Sequence, residues 1–415
     1  MNTSAAALSP ENSRPLEGIR VIDYSQFVAG PLCTMLLANL GADVIKVESP
    51  VGDAYRHYEP LGNNESTRFY ALNQGKRSVV CNLKTDEGRK FSEQLIASAD
   101  VVVHNIPIER AASFGLDSDT IRTINSDTVV AVVSAFGSDG PKSNQVGYDL
   151  IAQAYAGLLM ADADPSDQVP RRSGGVPFSD ITSGLLACIG VLAGLAMKPK
   201  KTAGHFEVSL LSASLLTQIQ DFVRLEEAPR TDGGAYDIAR MSDLTAVSNA
   251  VRSAADLEPY YRCYEASDGF FALACLTTVQ REKVLQVLDL QDPWVANPQS
   301  VPADDAERQL RTTTAESFAQ KFREAPARHW IAEFGRLAVP AGEVRLLTQL
   351  FDDEQVKANG LVRRHQQLSG GSVDVFGSPF KINGVPGRTE RPAPQLGEHN
   401  SELEKELSKL EEYAK

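Results

Sequence analysis

Asp180 is the one charged residue in the stretch 173–197, which reads SGGVPFSDITSGLLACIGVLAGLAM. Two glycines and Pro177 predict a tight turn before it, and every residue from Leu185 to Met197 is apolar or small. The pattern predicts that Asp180 starts a helix that is buried on all sides, where unpaired backbone amides favour negative charge. At about fourteen residues from Gly184, this helix is too short to span a bilayer. The carboxylate can cap the helix, as most such aspartates do, or it can react with a substrate.

Other reactive side chains are scattered along the chain. The six histidines lie in separate segments without the spacing of metal ligands, so each is more often structural than catalytic. The five cysteines form no CxxC pair, which is typical of a protein of the reducing cytoplasm without disulfides or a zinc site. Lys76, Arg77 and Lys84 flank a predicted strand, where they either bind phosphates or face solvent.

Composition excludes several classes of protein. The 415 residues are 42% hydrophobic and 23% charged, which is ordinary for a globular protein of two or three domains. The formal net charge of -13 argues against binding to nucleic acid or to an anionic membrane. The sequence contains no GxGxxG, Walker, HExxH or GxSxG motif, which disfavours dinucleotide dehydrogenases, P-loop ATPases, zinc proteases and serine hydrolases.

The elements that must position Asp180 are predicted to be alternating strands and helices. Strands are predicted at residues 19–22, 43–47, 78–83, 101–104, 128–134 and 205–209. A helix is predicted from Thr85 to Ala99 with Thr85 as its N-cap, whereas Ala29, Gly30 and Pro31 are predicted to form a loop. This alternation predicts an α/β fold with a doubly wound parallel sheet.

The chain is predicted to form a large domain that a smaller domain interrupts. We expect a flexible N-terminal tail at 1–16, the first part of the large domain at 17–225, a linker and small domain at 226–335, and a return to the large domain with a C-terminal helix at 336–415. The small domain is predicted to contain a hairpin around Asp268 and Gly269.

Five ordered segments resemble a known family. They are PLEGIRVIDYSQFVAGP (Pro15 to Pro31), GADVIKVESP (Gly41 to Pro50), NQGKRSVVCNLKT (Asn73 to Thr85), GYDLIAQAYAGL (Gly147 to Leu158) and GVPFSDITSG (Gly175 to Gly184). GHFEVSLLSA, SPFKINGVP and LGEHN extend the similarity, which therefore covers most of the chain. The chain is identified as a member of the class III CoA-transferase family, which also contains formyl-CoA transferase, carnitine CoA-transferase and α-methylacyl-CoA racemase.

The resemblance implies a fold, a subunit arrangement and an activity. It implies a Rossmann-like large domain built from both ends of the chain, a smaller inserted α+β domain, and an interlocked homodimer. The implied enzyme is a cytoplasmic transferase that moves CoA from an acyl-CoA donor to a carboxylic acid, with coenzyme A as substrate and no tightly bound cofactor. In this family the aspartate at the position of Asp180 is the nucleophile, and it forms an aspartyl anhydride and then an aspartyl-CoA thioester.

The same resemblance assigns residues that contact CoA. Val28 and Ala29 are expected beside the thioester, Ser49, Cys81, Asn82, Leu83 and Lys84 around the nucleotide, Asn105 beside the pantetheine or pyrophosphate, and Tyr148 near the reacting centre. Two arginines that commonly hold the CoA phosphates are replaced here by Pro107 and Ser113. Arg110 is a candidate substitute from a shifted position.

Departures from the family pattern leave alternatives open. Formyl-CoA transferases have glutamine at the position of Val28 and a glycine-rich loop, of which only Gly233 and Gly234 remain, so formyl-CoA and oxalate are disfavoured as substrates. The alternative activity is an acyl-CoA racemase or isomerase of the same fold, but a tyrosine, Tyr148, stands where its histidine would be. A CoA-binding protein without catalysis is the remaining alternative, because the phosphate-binding arginines are missing.

Overall fold

The computed structural model describes residues 14–62, 65–160, 175–197, 204–220, 222, 257–298, 300, 302–366, 371–387 and 391–414. The predicted Gly233 and Gly234 loop lies outside the described residues. The chain divides into two compact units. The larger unit falls within Met1–Ala156, Gly175–Ile219 and Phe351–Lys415, and the smaller within Gly157–Gly174 and Gln220–Leu350.

Strands and helices alternate through most of the described chain. The strands are β1 (Arg20–Asp23), β2 (Asp43–Glu48), β3 (Pro60–Gly62), β4 (Glu65–Ser66), β5 (Arg77–Val80), β6 (Val101–His104), β7 (Val129–Ser134), β8 (His205–Ser209), β9 (Tyr261–Ala266), β10 (Gly269–Ala274), β11 (Ala341–Glu343), β12 (Val362–Gln366), β13 (Ser372–Phe376), β14 (Lys381–Ile382) and β15 (Val385–Pro386). The α-helices are α1 (Ala29–Asn39), α2 (Thr67–Asn73), α3 (Asp86–Ala97), α4 (Ile108–Ser113), α5 (Ser118–Ile124), α6 (Asp149–Tyr155), α7 (Phe178–Met197), α8 (Leu210–Thr217), α9 (Thr278–Leu288), α10 (Asp305–Phe322), α11 (Ala327–Arg336), α12 (Glu354–Ala358) and α13 (Asn400–Ala414). Short 3-10 helices span Ala54–His57, Leu158–Met160 and Leu347–Phe351.

The larger unit is built on a six-stranded sheet with the order β5-β2-β1-β6-β7-β8. All of its strand pairs are parallel. The chain runs outward from β1 through β2 to β5, and then returns to the other side of β1 and runs outward through β6 and β7 to β8. The predicted doubly wound, Rossmann-like sheet is therefore confirmed. In such a sheet the direction of winding changes between β1 and β6, and ligands bind at the carboxyl ends of the strands there.

Helices cover both faces of this sheet because its central strands are apolar on both sides. Residues 101–103, for example, are valines with no exposed surface. One face packs against Leu36 of α1 and Val191 of α7, and the other against Leu95 of α3 and Leu403 of α13. The two apolar layers hold the strand ends, and any site at those ends, on a rigid base.

Most sequence predictions for these elements are confirmed. β6 and β8 have the predicted bounds, and the other predicted strands differ by a few residues at their ends. The hydroxyl of Thr85 accepts a hydrogen bond from the Gly88 amide, which confirms the predicted cap of α3. The prediction of a loop at Ala29, Gly30 and Pro31 is wrong, because these residues form the first turn of α1, where a proline is tolerated.

The smaller unit has its own sheet and apolar core. Its three strands, in the order β11-β10-β9, are antiparallel. The predicted hairpin around Asp268 and Gly269 is confirmed, since it joins β9 to β10. Aromatic side chains from β10, α10 and α11, including Phe271, Phe322 and Phe334, fill the core. The smaller α+β domain is therefore present as expected.

Helix α7 differs from its prediction in length. It has 20 residues and begins at Phe178, six residues before Gly184, so by length and composition it could cross a membrane. The argument that it is too short to span a bilayer is therefore wrong. The helix contacts α1, β7 and β8, and a side-chain carbon placed on Gly194 would lie 2.5 Å from a methyl of Val129 on the sheet. These contacts are those of a core helix.

Helix α7 also differs from its prediction in burial. Its small residues face the sheet, but Leu185 is 45% exposed and Ile189 is 62% exposed. The prediction of burial on all sides is wrong for this single chain, because the glycine-rich face lies against the sheet and α1 while larger apolar side chains point away.

Candidate active site

The residues expected to contact CoA follow the carboxyl ends of parallel strands. Ser49 follows β2, Cys81 to Lys84 follow β5, and Asn105 follows β6. Val28 and Ala29 come shortly after β1. All of these strands are parallel, so the residues lie along one edge of the sheet, which is the edge where doubly wound sheets bind ligands.

A short segment between β1 and α1 forms the centre of this edge. We call residues Ser25–Pro31 the switch-point segment, because it follows β1 where the winding changes direction. The side chain of Asn105, which follows β6, accepts a hydrogen bond from the Gln26 amide at 2.9 Å and donates one to the Gln26 carbonyl at 2.8 Å. Asn105 therefore bridges β1 and β6, with both polar ends of its amide engaged by the protein.

Helices α1 and α7 approach closely beside this segment. A side-chain carbon on Gly184 of α7 would lie only 2.6 Å from the carbonyl oxygen of Ala29. A glycine is therefore required for this contact. Asp180 lies four residues before Gly184, about one turn away on the same side of α7. The contact of Gly184 with Ala29 therefore lies one helical turn from Asp180.

Asp180 is not the N-cap of α7, and that prediction is wrong. It is the third residue of the helix, which begins at Phe178. The cap is supplied by Asp149 of α6, whose Oδ1 accepts hydrogen bonds from the backbone amides of Ser179 at 2.9 Å and Asp180 at 3.3 Å. Pro177 has no polar side-chain atom to take that role, so the cap comes from another helix. The Asp180 carboxylate is left available for chemistry.

Asp149 is itself firmly held. It is 8% exposed, and its Oδ2 accepts a hydrogen bond from the side-chain amide of Gln153 at 2.6 Å. The Ser179 hydroxyl, next in the chain to Asp180, forms a 2.7 Å hydrogen bond with the Ser214 hydroxyl of α8. The backbone around Asp180 is therefore fixed from both α6 and α8.

Compared with water, the surroundings of the Asp180 carboxyl group stabilise its protonated, neutral form. Burial, which is the larger cause, and the nearby Asp149 carboxylate raise the pKa of Asp180 to about 7. A perturbed carboxyl group at a ligand-binding edge is typical of a functional residue. At neutral pH a substantial fraction of this carboxyl is ionised and able to act as a nucleophile.

Aromatic side chains border the same site. The ring of Phe27 makes edge contacts with Tyr55 at 5.5 Å and with Tyr148 at 5.6 Å between centroids. Burial, and after it the charge of Asp180, raises the pKa of Tyr55, so this ring lies within electrostatic reach of the carboxylate. Tyr148 is 65% exposed, which leaves its ring accessible to a ligand. Phe27 and Tyr55 were not predicted as site residues, since no local sequence signal distinguishes them.

The residues expected around the nucleotide lie further along the edge: Ser49 follows the strand next to β1, about 5 Å away, and Cys81 to Lys84 follow the second strand, about 10 Å away. Cys81 is buried, its thiol donates to the Gly88 carbonyl at 3.1 Å, and burial raises its pKa to about 11. The Asn82 side chain accepts from the Lys84 amide at 3.2 Å, and the Ser49 hydroxyl donates to the Gly52 carbonyl at 3.3 Å. These contacts shape two turns, at the ends of β5 and β2.

Two exposed cations lie along the same edge of the sheet. Lys84 is exposed after β5, and Arg110 is exposed on α4, which follows β6. Leu83, next to Lys84 in the chain, is half-buried against the apolar layer on one face of the sheet. The edge therefore combines backbone turns with positive charge, as a phosphate-bearing ligand requires.

Comparison with known proteins identifies the family. The profile of CoA-transferase family III matches residues 16–400. The succinate–glutarate CoA-transferase of Agrobacterium fabrum is 30% identical over 98% of this chain and 98% of its own length. The acetyl-CoA:oxalate CoA-transferase of Acetobacter aceti is 28% identical over 95% of this chain and 96% of its own length.

A solved structure has the same fold. The CAIB/BAIF family protein from Brucella suis has a TM-score of 0.75 and 27% identity, covering 95% of this chain and 100% of the other. The family match spans nearly the whole sequence, and the relatives named as CoA-transferases align along their full length. The chain is therefore a transferase that belongs to CoA-transferase family III.

Proposed function

We propose that this enzyme transfers CoA from an acyl-CoA thioester to a carboxylic acid, with Asp180 as the covalent nucleophile. The observation that carries this proposal is the position of Asp180. Its carboxylate is not used as a cap, it lies on the α7 face that meets the start of α1, and its pKa is near neutrality. A carboxylate that is free of structural bonds, lies at the ligand-binding edge and is still partly ionised at neutral pH can act as a nucleophile.

The first half of the reaction loads CoA onto the enzyme. The Asp180 carboxylate attacks the acyl-CoA carbonyl, the carbon–sulfur bond breaks, and an acyl-aspartyl anhydride and CoA thiolate form. The thiolate then attacks the aspartyl carbonyl of the anhydride, which releases the donor acid as its carboxylate and leaves an aspartyl-CoA thioester. The energy of the original thioester is conserved in both intermediates.

The second half delivers CoA to the acceptor. The acceptor carboxylate attacks the aspartyl thioester and gives a new anhydride and CoA thiolate. The thiolate attacks the acceptor acyl carbon, and the product acyl-CoA and free Asp180 carboxylate result. Water would hydrolyse the anhydrides, and the partial burial of Asp180, within electrostatic reach of the Tyr55 ring, limits its access.

CoA is a substrate in this scheme, and it extends along the carboxyl edge of the sheet. Its nucleotide is proposed to lie near Ser49 and the Cys81–Lys84 turn, and its pantetheine arm to pass Asn105. The thioester then reaches Val28 and Ala29, with Tyr148 beside the reacting carbon. Lys84 and Arg110 offer the exposed positive charge for the phosphates.

Dicarboxylic acids and their CoA thioesters are the first substrates to test, because relatives are named for succinate, glutarate, oxalate and mesaconate. The experiment incubates the enzyme with succinyl-CoA and a panel of carboxylic acids that includes glutarate, and identifies new CoA thioesters by mass spectrometry. Formation of an acceptor-CoA supports transfer. Exchange of an α-proton with deuterated water in the absence of any acceptor acid would instead identify a racemase.

The raised pKa predicts a dependence of activity on pH. Asp180 must be ionised to attack, so we expect kcat/KM to fall as pH drops through about 7, by about tenfold per pH unit well below it. Asp149→Asn removes the charge that helps raise the pKa, but its side-chain oxygen can still accept the Ser179 amide. The acid limb of Asp149→Asn should therefore move to lower pH. The measurement is kcat/KM for acyl-CoA over about two pH units on either side of neutrality.

Asp127→Asn is the matched control for this profile. Asp127 is an exposed acid in the turn before β7, so its loss should leave the acid limb in place. An acid limb that is the same in Asp149→Asn and in the wild type would contradict the proposed electrostatic role of Asp149.

We also propose that the enzyme is a homodimer that uses the exposed apolar face of α6, α7 and α8. These three helices contact one another, and each carries exposed apolar side chains. Ile151, Leu185, Ile189, Leu216 and Ile219 are each at least 41% exposed. Exposed apolar side chains on helices in contact are typical of a subunit interface, and the family resemblance supports a second copy of this chain as the occupant. The five free cysteines support a reducing compartment, such as the cytoplasm.

A charge in the centre of this face should weaken the dimer. Ile189→Glu places a carboxylate where an apolar contact is expected. Because interlocked subunits separate only when a chain unfolds, we predict a smaller dimer fraction after refolding at micromolar protein concentration, measured by sedimentation velocity. Leu410→Glu, which changes a half-exposed residue of α13, is the control and should remain dimeric. A dimeric Ile189→Glu would contradict this interface.

A further inference from the structure

Two buried lysines hold the two ends of the switch-point segment. The Lys46 ammonium donates to the Ser25 carbonyl at 2.8 Å, and the Lys76 ammonium donates to the Pro31 carbonyl at 3.0 Å. Both lysine side chains are completely buried. Burying a charged group in an apolar interior costs free energy unless the group is paired. The partners of the two lysines therefore indicate their role.

The partner of Lys46 is Asp53, at 2.8 Å between Nζ and Oδ2. Asp53 is 1% exposed and lies in the turn after β2. Its Oδ1 accepts hydrogen bonds from the Tyr55 amide at 2.9 Å and from the Phe27 amide at 3.4 Å. The Lys46–Asp53 ion pair thus links β2 to the middle of the switch-point segment.

The backbone of Phe27 requires such support. Its φ angle is +67°, in the left-handed region that a non-glycine residue adopts at a cost of about 1–2 kcal/mol. Asn105 fixes the preceding residue, Gln26, from the other side of the switch point. Val28 and Ala29 follow directly, so the turn at Phe27 determines where their backbone lies relative to Asp180.

We propose that Lys46 and Asp53 are a positioning pair for CoA transfer, which holds the turn at Phe27 so that Val28 and Ala29 stay aligned with Asp180. This inference rests on the proposed function. The pair touches no reacting atom itself. Its contacts go to the backbone of the switch-point segment and to Tyr55, whose ring packs against Phe27.

A positioning role and a purely structural role predict different effects. Replacing a buried ion pair by apolar residues of similar size is often neutral or stabilising. The double variant Lys46→Met/Asp53→Leu should therefore remain folded. It nevertheless loses the hydrogen bonds that residues 46 and 53 make to the Ser25 carbonyl and the Phe27 amide. A shift of about 1 Å in a reacting group costs about 10²-fold in rate, so kcat should fall by about that factor.

The experiment measures three quantities for the wild type and two variants. They are the dissociation constant of CoA by calorimetry, kcat for transfer, and the rate at which donor acyl-CoA forms a hydroxylamine-trapped adduct on Asp180 in a single turnover. In Lys46→Met/Asp53→Leu we expect adduct formation and kcat to fall by a much larger factor than CoA affinity, because the Cys81–Lys84 turn after β5 is untouched, although Asp53 shares the turn after β2 with Ser49. Asp53→Asn, which is nearly isosteric, should show a smaller loss of the same kind and serves if the double variant fails to fold.

Arg77→Met is the matched control. Arg77 is 4% exposed and lies at the amino end of β5, on the opposite edge of the sheet. It forms ion pairs with Asp43, at the amino end of β2, and with Glu402 of α13. The Arg77→Met variant should have a lower melting temperature but form the adduct at the wild-type rate. Folded variants of Lys46 and Asp53 that form the adduct at the wild-type rate would overturn the positioning role. Absence of any adduct in the wild type during turnover would instead overturn the proposed function.

Discussion

Asp180→Asn should lose CoA transfer, with kcat reduced by about 10⁴-fold or more, as is usual when a covalent nucleophile is removed. The substitution is nearly isosteric, and the cap that Asp149 provides goes to backbone amides, so the start of α7 is preserved. CoA binding should persist for the same reason. Asp180→Ala is measured alongside, because an asparagine can slowly deamidate back to aspartate. Both variants are assayed by formation of the acceptor-CoA thioester.

The covalent intermediate provides an independent readout. Wild-type enzyme incubated with donor acyl-CoA and then with hydroxylamine should carry a hydroxamate on the peptide that contains Asp180, and borohydride should reduce the same site. Asp139→Asn, an exposed acid in the loop after β7, is the control and should retain both transfer and labelling. Substantial transfer by Asp180→Ala, or turnover of the wild type with Asp180 unmodified, would disprove the nucleophile.

The strands and helices that surround the site could be predicted from local sequence patterns. Apolar strands such as β6 and β8 are short runs between turn signals, and their alternation with helices fixes a parallel, doubly wound sheet. The carboxyl edge of that sheet then follows from topology alone. The proposal that Asp180 is the nucleophile did not follow from spacing, and it required similarity along most of the chain.

The contacts that shape the site come from residues distant in sequence. Asp149 caps α7 by accepting a hydrogen bond from Ser179, 30 residues later in the chain, so no pattern around Pro177 reveals the cap. Lys46 is one of three charged residues in β2, and its partner Asp53 in the following turn could be identified only in the structure. Exposure of α7 likewise depends on which of its faces meets the sheet.

Gly184→Ala is the second change for which we expect a large effect, with kcat lowered by about 10²-fold through misalignment of about 1 Å. The added methyl would lie 2.6 Å from the Ala29 carbonyl oxygen, which is backbone and cannot rotate away, so α1 and α7 must separate. Alanine normally stabilises a helix by about 1 kcal/mol relative to glycine, whereas overpacking costs about 1–3 kcal/mol, so the net change in stability should be small. The expected result is therefore a folded enzyme with a reduced kcat.

The control for Gly184→Ala lies on the same helix. At Gly190 an added carbon would lie 3.0 Å from the Phe206 side chain, against β8 and away from the start of α1. Gly190→Ala should therefore show a similar change in melting temperature with nearly normal kcat. If the kcat of Gly184→Ala equalled that of the wild type, the close approach of α1 and α7 would not be needed for catalysis. A loss in Gly184→Ala alone would mean that the distance between Ala29 and Asp180, rather than the stability of α7, controls the rate of CoA transfer.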